Sequence, residues 1–219
     1  MVLPITFAGL GTWQVYRHQW KQDLLDRVAQ RIEHEPMPLA TPTREEVENE
    51  LEYTRVVTHG SFDHSAEILM VPKLWDGEPG AHVLTPLVRD DGSRVLVNRG
   101  FVPRELMPQD SRRDSLVDGR VAVAGILRAT ERPNSFTPDN KPESGTWYWR
   151  DIDALVETLD VLPFVVEAGA PLPTDEPADD SPIRPGVTVI SVPNNHWHYA
   201  ATWYALALAT SVMYLRRPL

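Results

Sequence analysis

His196-Trp197-His198 is the one place in this chain where two imidazoles stand at a spacing used to hold a metal ion. Carried on a strand, an HxH pair presents both rings to one side. Carried on a helix, the same rings point about 200° apart and cannot share an ion. The other histidines are scattered, and His59 and His64, bracketing the turn-like Gly60-Ser61-Phe62-Asp63, read as surface residues. Trp147 and Trp149, two apart on an expected strand, face one side and read as core. There is no GxSxG elbow, no phosphate loop and no HExxH. With no cysteine, disulfides, thiolate metal sites, CxxC redox chemistry and cysteine nucleophiles are all excluded. No catalytic residues are expected, and the chain reads as a protein that is not an enzyme.

The elements that hold the histidine pair read as membrane-facing. From Tyr199 to Leu215 no side chain is charged, and Arg216 and Arg217 close the run. At 1.5 Å per residue this stretch covers roughly 25 Å, and Trp197 and His198 extend it into the spanning range. Trp197, Tyr199, Trp203, Tyr204 and Tyr214 crowd its ends, where amphipathic rings favour a membrane interface. The other chain end is similar but shorter. Residues 1–13 carry no charge, too few to span, and lack the basic start and small-residue cleavage site of a signal peptide. They are expected to be the remnant of a first transmembrane helix whose start is trimmed. Residues 197–215 are expected to be the second helix and 216–219 a basic tail, retained on the cytoplasmic or matrix side.

Residues 14–196 are expected to form the domain between them, mainly β with flanking helices. Apolar residues at Val15, Leu24, Leu25, Val28 and Ile32, with charges between, suit an amphipathic helix. Thr43 three residues before Glu46 is a capping-box pattern. Short β-branched runs then follow at 53–60, 68–71, 82–85, 94–97, 121–127, 164–166 and 187–192, with a helix at 151–159. Asp90-Asp91-Gly92 is a hairpin signal, since glycine supplies the positive φ of a tight turn. Val95 begins a buried strand that ends in the turn chemistry of Asn98-Arg99-Gly100, and Pro103 then blocks continuation. Arg99 there is either structural or, through its fork of donors, a contact for a partner's carboxylate. The Pro-, Asp- and Ala-rich stretch 169–186 reads as a loop. The formal net charge of −10 argues against a nucleic-acid partner.

Taken in order, several segments resemble one family. They are Leu10-Gly-Thr-Trp-Gln-Val-Tyr-Arg, Gly60-Ser-Phe-Asp-His, Gly80-Ala-His-Val-Leu-Thr-Pro, Val95-Leu-Val-Asn-Arg-Gly-Phe-Val-Pro-Arg, Phe136-Thr-Pro-Asp-Asn, Trp147-Tyr-Trp-Arg-Asp and Asn195-His-Trp-His-Tyr-Ala-Ala-Thr-Trp-Tyr. Each alone is weak. Across nearly the whole chain they resemble the Surfeit locus protein 1 family, the cytochrome c oxidase assembly factors that include the Shy-type proteins. The resemblance implies two membrane helices around a domain outside the matrix or bacterial cytoplasm. It places the chain in the mitochondrial inner membrane as a multi-pass protein, or in a bacterial plasma membrane. Its implied role is building respiratory complex IV: delivering or stabilising haem a, held transiently, in the nascent core subunit, in company with other assembly factors. The alternative is a membrane scaffold that holds that subunit and never touches iron. The chain departs from the family pattern at its start, where a targeting segment and half of the first helix are missing.

The same resemblance makes His196 the candidate haem ligand, since it matches the histidine of the family's NxHxxY segment. If the helix has begun by then, Tyr199 and Trp203, at i+3 and i+7, share its face and line a slot ending in an imidazole. Haem iron at His196 is the only metal expected. Arg99 gains a second implied contact, a haem propionate. On another face, Ala201, Ala205 and Ala209 recur every four residues, a stripe that permits close helix packing, with Gly9 and Gly11 as its expected counter-surface.

Overall fold

Charge begins abruptly after Trp13, yet the backbone does not register it. The computed structural model, which describes residues 2–169, 182–185 and 196–216, carries one helix, α1, through Val2–Glu33. Pro4 sits in the first turn, where its missing N–H costs nothing, and no other proline interrupts the run. The chain divides into two compact units, Met1–Gln30 with Ile190–Leu219, and Arg31–Val189.

In the second unit, β1 (Met37–Pro38) precedes α2 (Arg44–Glu46), which opens on the expected capping box: Thr43 caps the Glu46 N–H and the Glu46 carboxylate accepts from the Thr43 N–H. Six longer strands follow, β2 (Arg55–Phe62), β3 (Ile68–Trp75), β4 (Glu78–Val88), β5 (Arg94–Pro103), β6 (Arg120–Arg128) and β7 (Val165–Ala168). Helix α3 (Ile152–Leu159), capped by Asp151 on the Ala154 N–H, lies between β6 and β7 in sequence. The sheet order is β1-β2-β6-β7-β5-β4-β3, and β2 pairs again with β4 at Ser61 and Phe62. That second pairing closes β2, β6, β7, β5 and β4 into a barrel-like ring.

The ring has apolar packing on both sides of its central strand, which is why β5 is buried at nearly every position rather than at alternate ones. Val95 and Val97 point into an interior with Val56, Leu87, Leu127 and Val166. Leu96 faces the opposite way and packs with Leu84, Trp147, Ile152, Leu155 and Val165 beneath α3. Trp147 is therefore core, joined to β3 by a single bridge to Met70. The hairpin between β4 and β5 turns where expected, with Gly92 at φ +81°.

Helix α4 (His196–Leu215) belongs to the first unit with most of α1. The expectation of a membrane protein with two transmembrane helices, the first truncated, is corrected here. Among the described residues no helix is long and apolar enough to cross a membrane. In α1 the apolar stretch ends at Trp13 and gives way to Arg17, Lys21, Asp23, Asp26 and Arg27. In α4 the length suffices, but His198, Thr202, Thr210, Ser211 and several tyrosines dilute its apolar character. The architecture is a mostly β unit with a barrel-like sheet and one long N-terminal helix; a multi-pass arrangement has no support. The strand expected at 187–192 and most of the loop expected at 169–186 lie outside the described residues.

Candidate functional site

The aromatic positions of α4 decide how it meets α1. Trp203 stacks on Phe7 with ring centroids 5.7 Å apart and planes inclined by 27°. One residue on, the Tyr204 hydroxyl lies 3.0 Å from the Thr12 hydroxyl. The Tyr204 ring covers Gly11, where an added Cβ would come within 3.0 Å of it. Two bulky rings thus select the face turned to α1, and Ala200 and Ala207 are the buried small residues beside them. Ala201, Ala205 and Ala209 lie on exposed positions, as does Gly9. Of the small residues singled out from sequence, Gly11 alone is brought into the contact between these helices.

His196 is the first residue of α4, and the described part of it is its backbone. Because the helix has begun there, Tyr199 and Trp203 do follow on its side of the cylinder. Tyr199 is exposed, so its ring is free to take an apolar plate, whereas Trp203 is already engaged by Phe7. A single imidazole suffices as an axial ligand for haem iron. The start of α4 thus offers one exposed ring, Tyr199, next to the backbone position of His196, while the ring of Trp203 is taken by Phe7. His198 is two positions away on the helix and leaves in another direction.

Asn98, Arg99 and Gly100 do come together, but inside a strand. β5 runs on to Pro103, and the register against β4 slips between Val83 and Leu84, leaving Arg99 unpaired between Asn98 and Gly100. The turn chemistry read from the sequence makes a β-bulge rather than a strand end. Gly100 takes φ +130°, and its N–H donates to the Asn98 Oδ1 at 3.2 Å. The bulge aims Arg99 at Glu67, 3.7 Å away, and over the Phe62 ring at 4.8 Å, while its guanidinium donates to the Ser115 carbonyl. Glu67 also takes a bond from buried Arg112 and one from Thr85. Arg99 is thus engaged within its own unit, although its buried Nη1 makes no hydrogen bond among the described residues.

A polar cavity of about 230 Å³ opens on the outer face of the ring. Met70, Leu84 and Val165 form its apolar wall. Charged and polar groups arrive from five elements: Lys73 on β3, His82 on β4, Asn98 on β5, Arg128 ending β6, and Glu167 on β7. Glu131 and Arg150, from the segment between β6 and α3, complete it. Glu167 holds Arg150 at 2.9 Å and Arg128 at 3.0 Å. Arg150 also donates to the Ala129 carbonyl at 2.7 Å. Burial, with Lys73 and Arg150 nearby, pushes His82 down to about 4, so this imidazole is neutral at pH 7. Burial likewise lowers the Lys73 ammonium from its ordinary value.

None of this cavity was visible as a site in the sequence. Its one signal was charge in the wrong place: Arg128 ends β6 after an apolar run, and Glu167 and Lys73 interrupt the apolar runs of β7 and β3. Such charges read as solvated strand ends unless the pairing of distant strands is known.

A model of the SURF1 family matches residues 1–208 of the chain. Surfeit locus protein 1 of Mus musculus is 37% identical, covering 99% of this chain and 74% of its own. The Homo sapiens protein of that name is 34% identical over 99% of this chain and 75% of its own. A SURF1-like protein of Monosiga brevicollis is 36% identical over 98% of this chain and 85% of its own.

Proposed function

Because the chain belongs to the SURF1 family, we propose that it is an assembly factor for cytochrome c oxidase that helps deliver or stabilise haem a in the nascent core subunit. The observation that carries this reading is the family match across residues 1–208, which includes the start of α4 and its ring-bearing face. In this proposal His196 would hold the haem iron. Tyr199 offers an exposed ring beside it, and Phe7 behind Trp203 steadies the helix that presents both. Bound haem a supplies the iron and porphyrin destined for the oxidase. The chain's own residues hold and orient it, and no bond in it need be made or broken by the protein.

Association with the mitochondrial inner membrane, or with a bacterial plasma membrane, belongs to the same proposal. Val2, Leu3, Ile5, Trp13, Leu208, Met213 and Leu215 leave large apolar side chains exposed on α1 and α4. A surface of that character is normally covered by lipid or protein. It equally supports the second reading, a scaffold that holds the oxidase core subunit and other assembly factors without touching iron.

The test is the absorption spectrum of the protein purified from cells that synthesise haem a, together with two variants. His196→Ala should lose the haem band while keeping its abundance and the fold of the β-rich unit. His198→Ala should retain the band. If both variants keep a wild-type band and still support oxidase assembly, the ligand assignment fails. A protein free of haem that still restores the oxidase establishes the scaffold.

A further inference from the structure

Of the three cations that line the cavity on the β-rich unit, Lys73, Arg128 and Arg150, Lys73 is the one without an ion pair among the described residues. Glu167 is divided between Arg128 and Arg150, and Glu52 lies a further 3.6 Å from Arg128. Glu131 accepts the Arg150 backbone N–H at 3.3 Å. Lys73 donates to the Tyr148 carbonyl at 3.2 Å and, among the described residues, makes no ion pair. An ammonium has three donors, so two remain for another acceptor. Beside it stands His82, whose role follows from its neighbour. The Asn98 Oδ1 is taken by the Gly100 N–H, so its amide nitrogen faces the His82 Nδ1 at 3.5 Å. Nδ1 is then the acceptor and Nε2 carries the proton. The cavity thus holds spare donors on a cation and a neutral ring.

We propose that this cavity binds a small aliphatic carboxylate, with Lys73 as the counter-charge and His82 as a neutral hydrogen-bond donor. Charge sets the headgroup: a carboxylate compensates the ammonium that burial leaves costly, as no neutral ligand does. Size and lining set the rest. At about 230 Å³ the space falls below the roughly 300 Å³ at which drug-sized sites begin. The Met70, Leu84 and Val165 wall suits a short hydrocarbon stem. The nearby carboxylate of Glu131 opposes the ligand, so affinity is modest and tunable. The site lies within the unit Arg31–Val189.

The lysines of the chain are Lys21, Lys73 and Lys141, which makes competitive acylation of the intact protein a direct test. Amine acylation is followed by mass spectrometry in butyrate, succinate, sulfate or chloride at matched ionic strength. With a dissociation constant near 1 mM, about 5 mM butyrate should slow acylation of Lys73 roughly sixfold and leave Lys21 and Lys141 unchanged. Glu131→Gln, which keeps an oxygen for the Arg150 N–H, should increase the protection at the same butyrate concentration. Equal slowing at all three lysines, or none at Lys73, overturns the proposal. Protection by sulfate as strong as by butyrate overturns the carboxylate class and leaves a general anion site. A Glu131→Gln protein that folds but shows no gain removes the electrostatic basis.

Discussion

Replacing Glu167 by Gln tests whether the cavity is held together by charge. Glu167 is 11% exposed on its side chain and bridges Arg128 and Arg150, the latter 9% exposed. Removing one member of a buried pair typically costs about 3–5 kcal/mol, because the remaining charge is left uncompensated. Three features moderate that figure. The Gln oxygen still accepts one of the two bonds, though a neutral acceptor is roughly half as strong as a charged one. Glu52 stays 3.6 Å from Arg128, and Arg150 keeps its bond to the Ala129 carbonyl. Glu167→Gln should therefore destabilise the β-rich unit by about 2 kcal/mol, and Glu167→Ala, which loses both bonds, by about 4 kcal/mol. Arg150→Met alone should cost about 3 kcal/mol by stranding part of the Glu167 charge. In the double variant Glu167→Gln with Arg150→Met, the loss should fall at least about 1 kcal/mol short of the sum, since each change removes what the other leaves unpaired. Hydrogen exchange at the β6 and β7 backbone amides is the suitable assay, because it reports this unit even if the two units unfold separately. A loss under about 0.5 kcal/mol for Gln, or strict additivity in the double variant, would refute the reasoning.

His82 makes stability depend on pH in a defined direction. Its folded value of about 4 lies below the ordinary 6.5, so the folded state binds fewer protons than the unfolded one between those limits. Stability should rise with pH through that window, by up to about 3 kcal/mol, and His82→Gln should flatten this part of a urea-denaturation profile. Gly100→Val should cost at least about 2 kcal/mol, since its Cβ would lie 2.2 Å from the Arg184 carbonyl oxygen as well as at positive φ. Gly92→Val, with nothing within 4 Å, should cost only the conformational part, about 1 kcal/mol; equal losses in thermal melts would falsify the close-approach argument. Gly11→Leu should displace Tyr204 and separate α1 from α4, whereas Ala205→Leu should not, as read by disulfide crosslinking of Phe7→Cys with Trp203→Cys. Efficient crosslinking in both backgrounds would show that Gly11 is not needed for the contact.

What the sequence determined by itself was local. Thr43 and Glu46 define a capping box, Asp151 a helix start and Gly92 a turn, because each depends on bonds within a few residues. The short β-branched runs announced the strands for the same reason, and the order of the motifs was enough to name the family. Local pattern failed wherever a distant partner decides the outcome. Asn98-Arg99-Gly100 has the chemistry of a turn, but pairing with β4 on one side and β7 on the other keeps the strand going and turns the extra residue into a bulge. The alanine stripe of α4 had the right spacing for packing. The rings of Trp203 and Tyr204, meeting Phe7 and Gly11, set the helix rotation instead and left the stripe outside. An uncharged run suggested membrane spans, yet the apolar content of a whole helix counts, and the charges of α1 and the polar groups of α4 belong to the same cylinders. The cavity around Lys73 was beyond reach of any sequence window. Its groups come from five strands and a connecting segment, and a charge 50 residues away acts only once folding has brought it within a few ångströms and removed the water between.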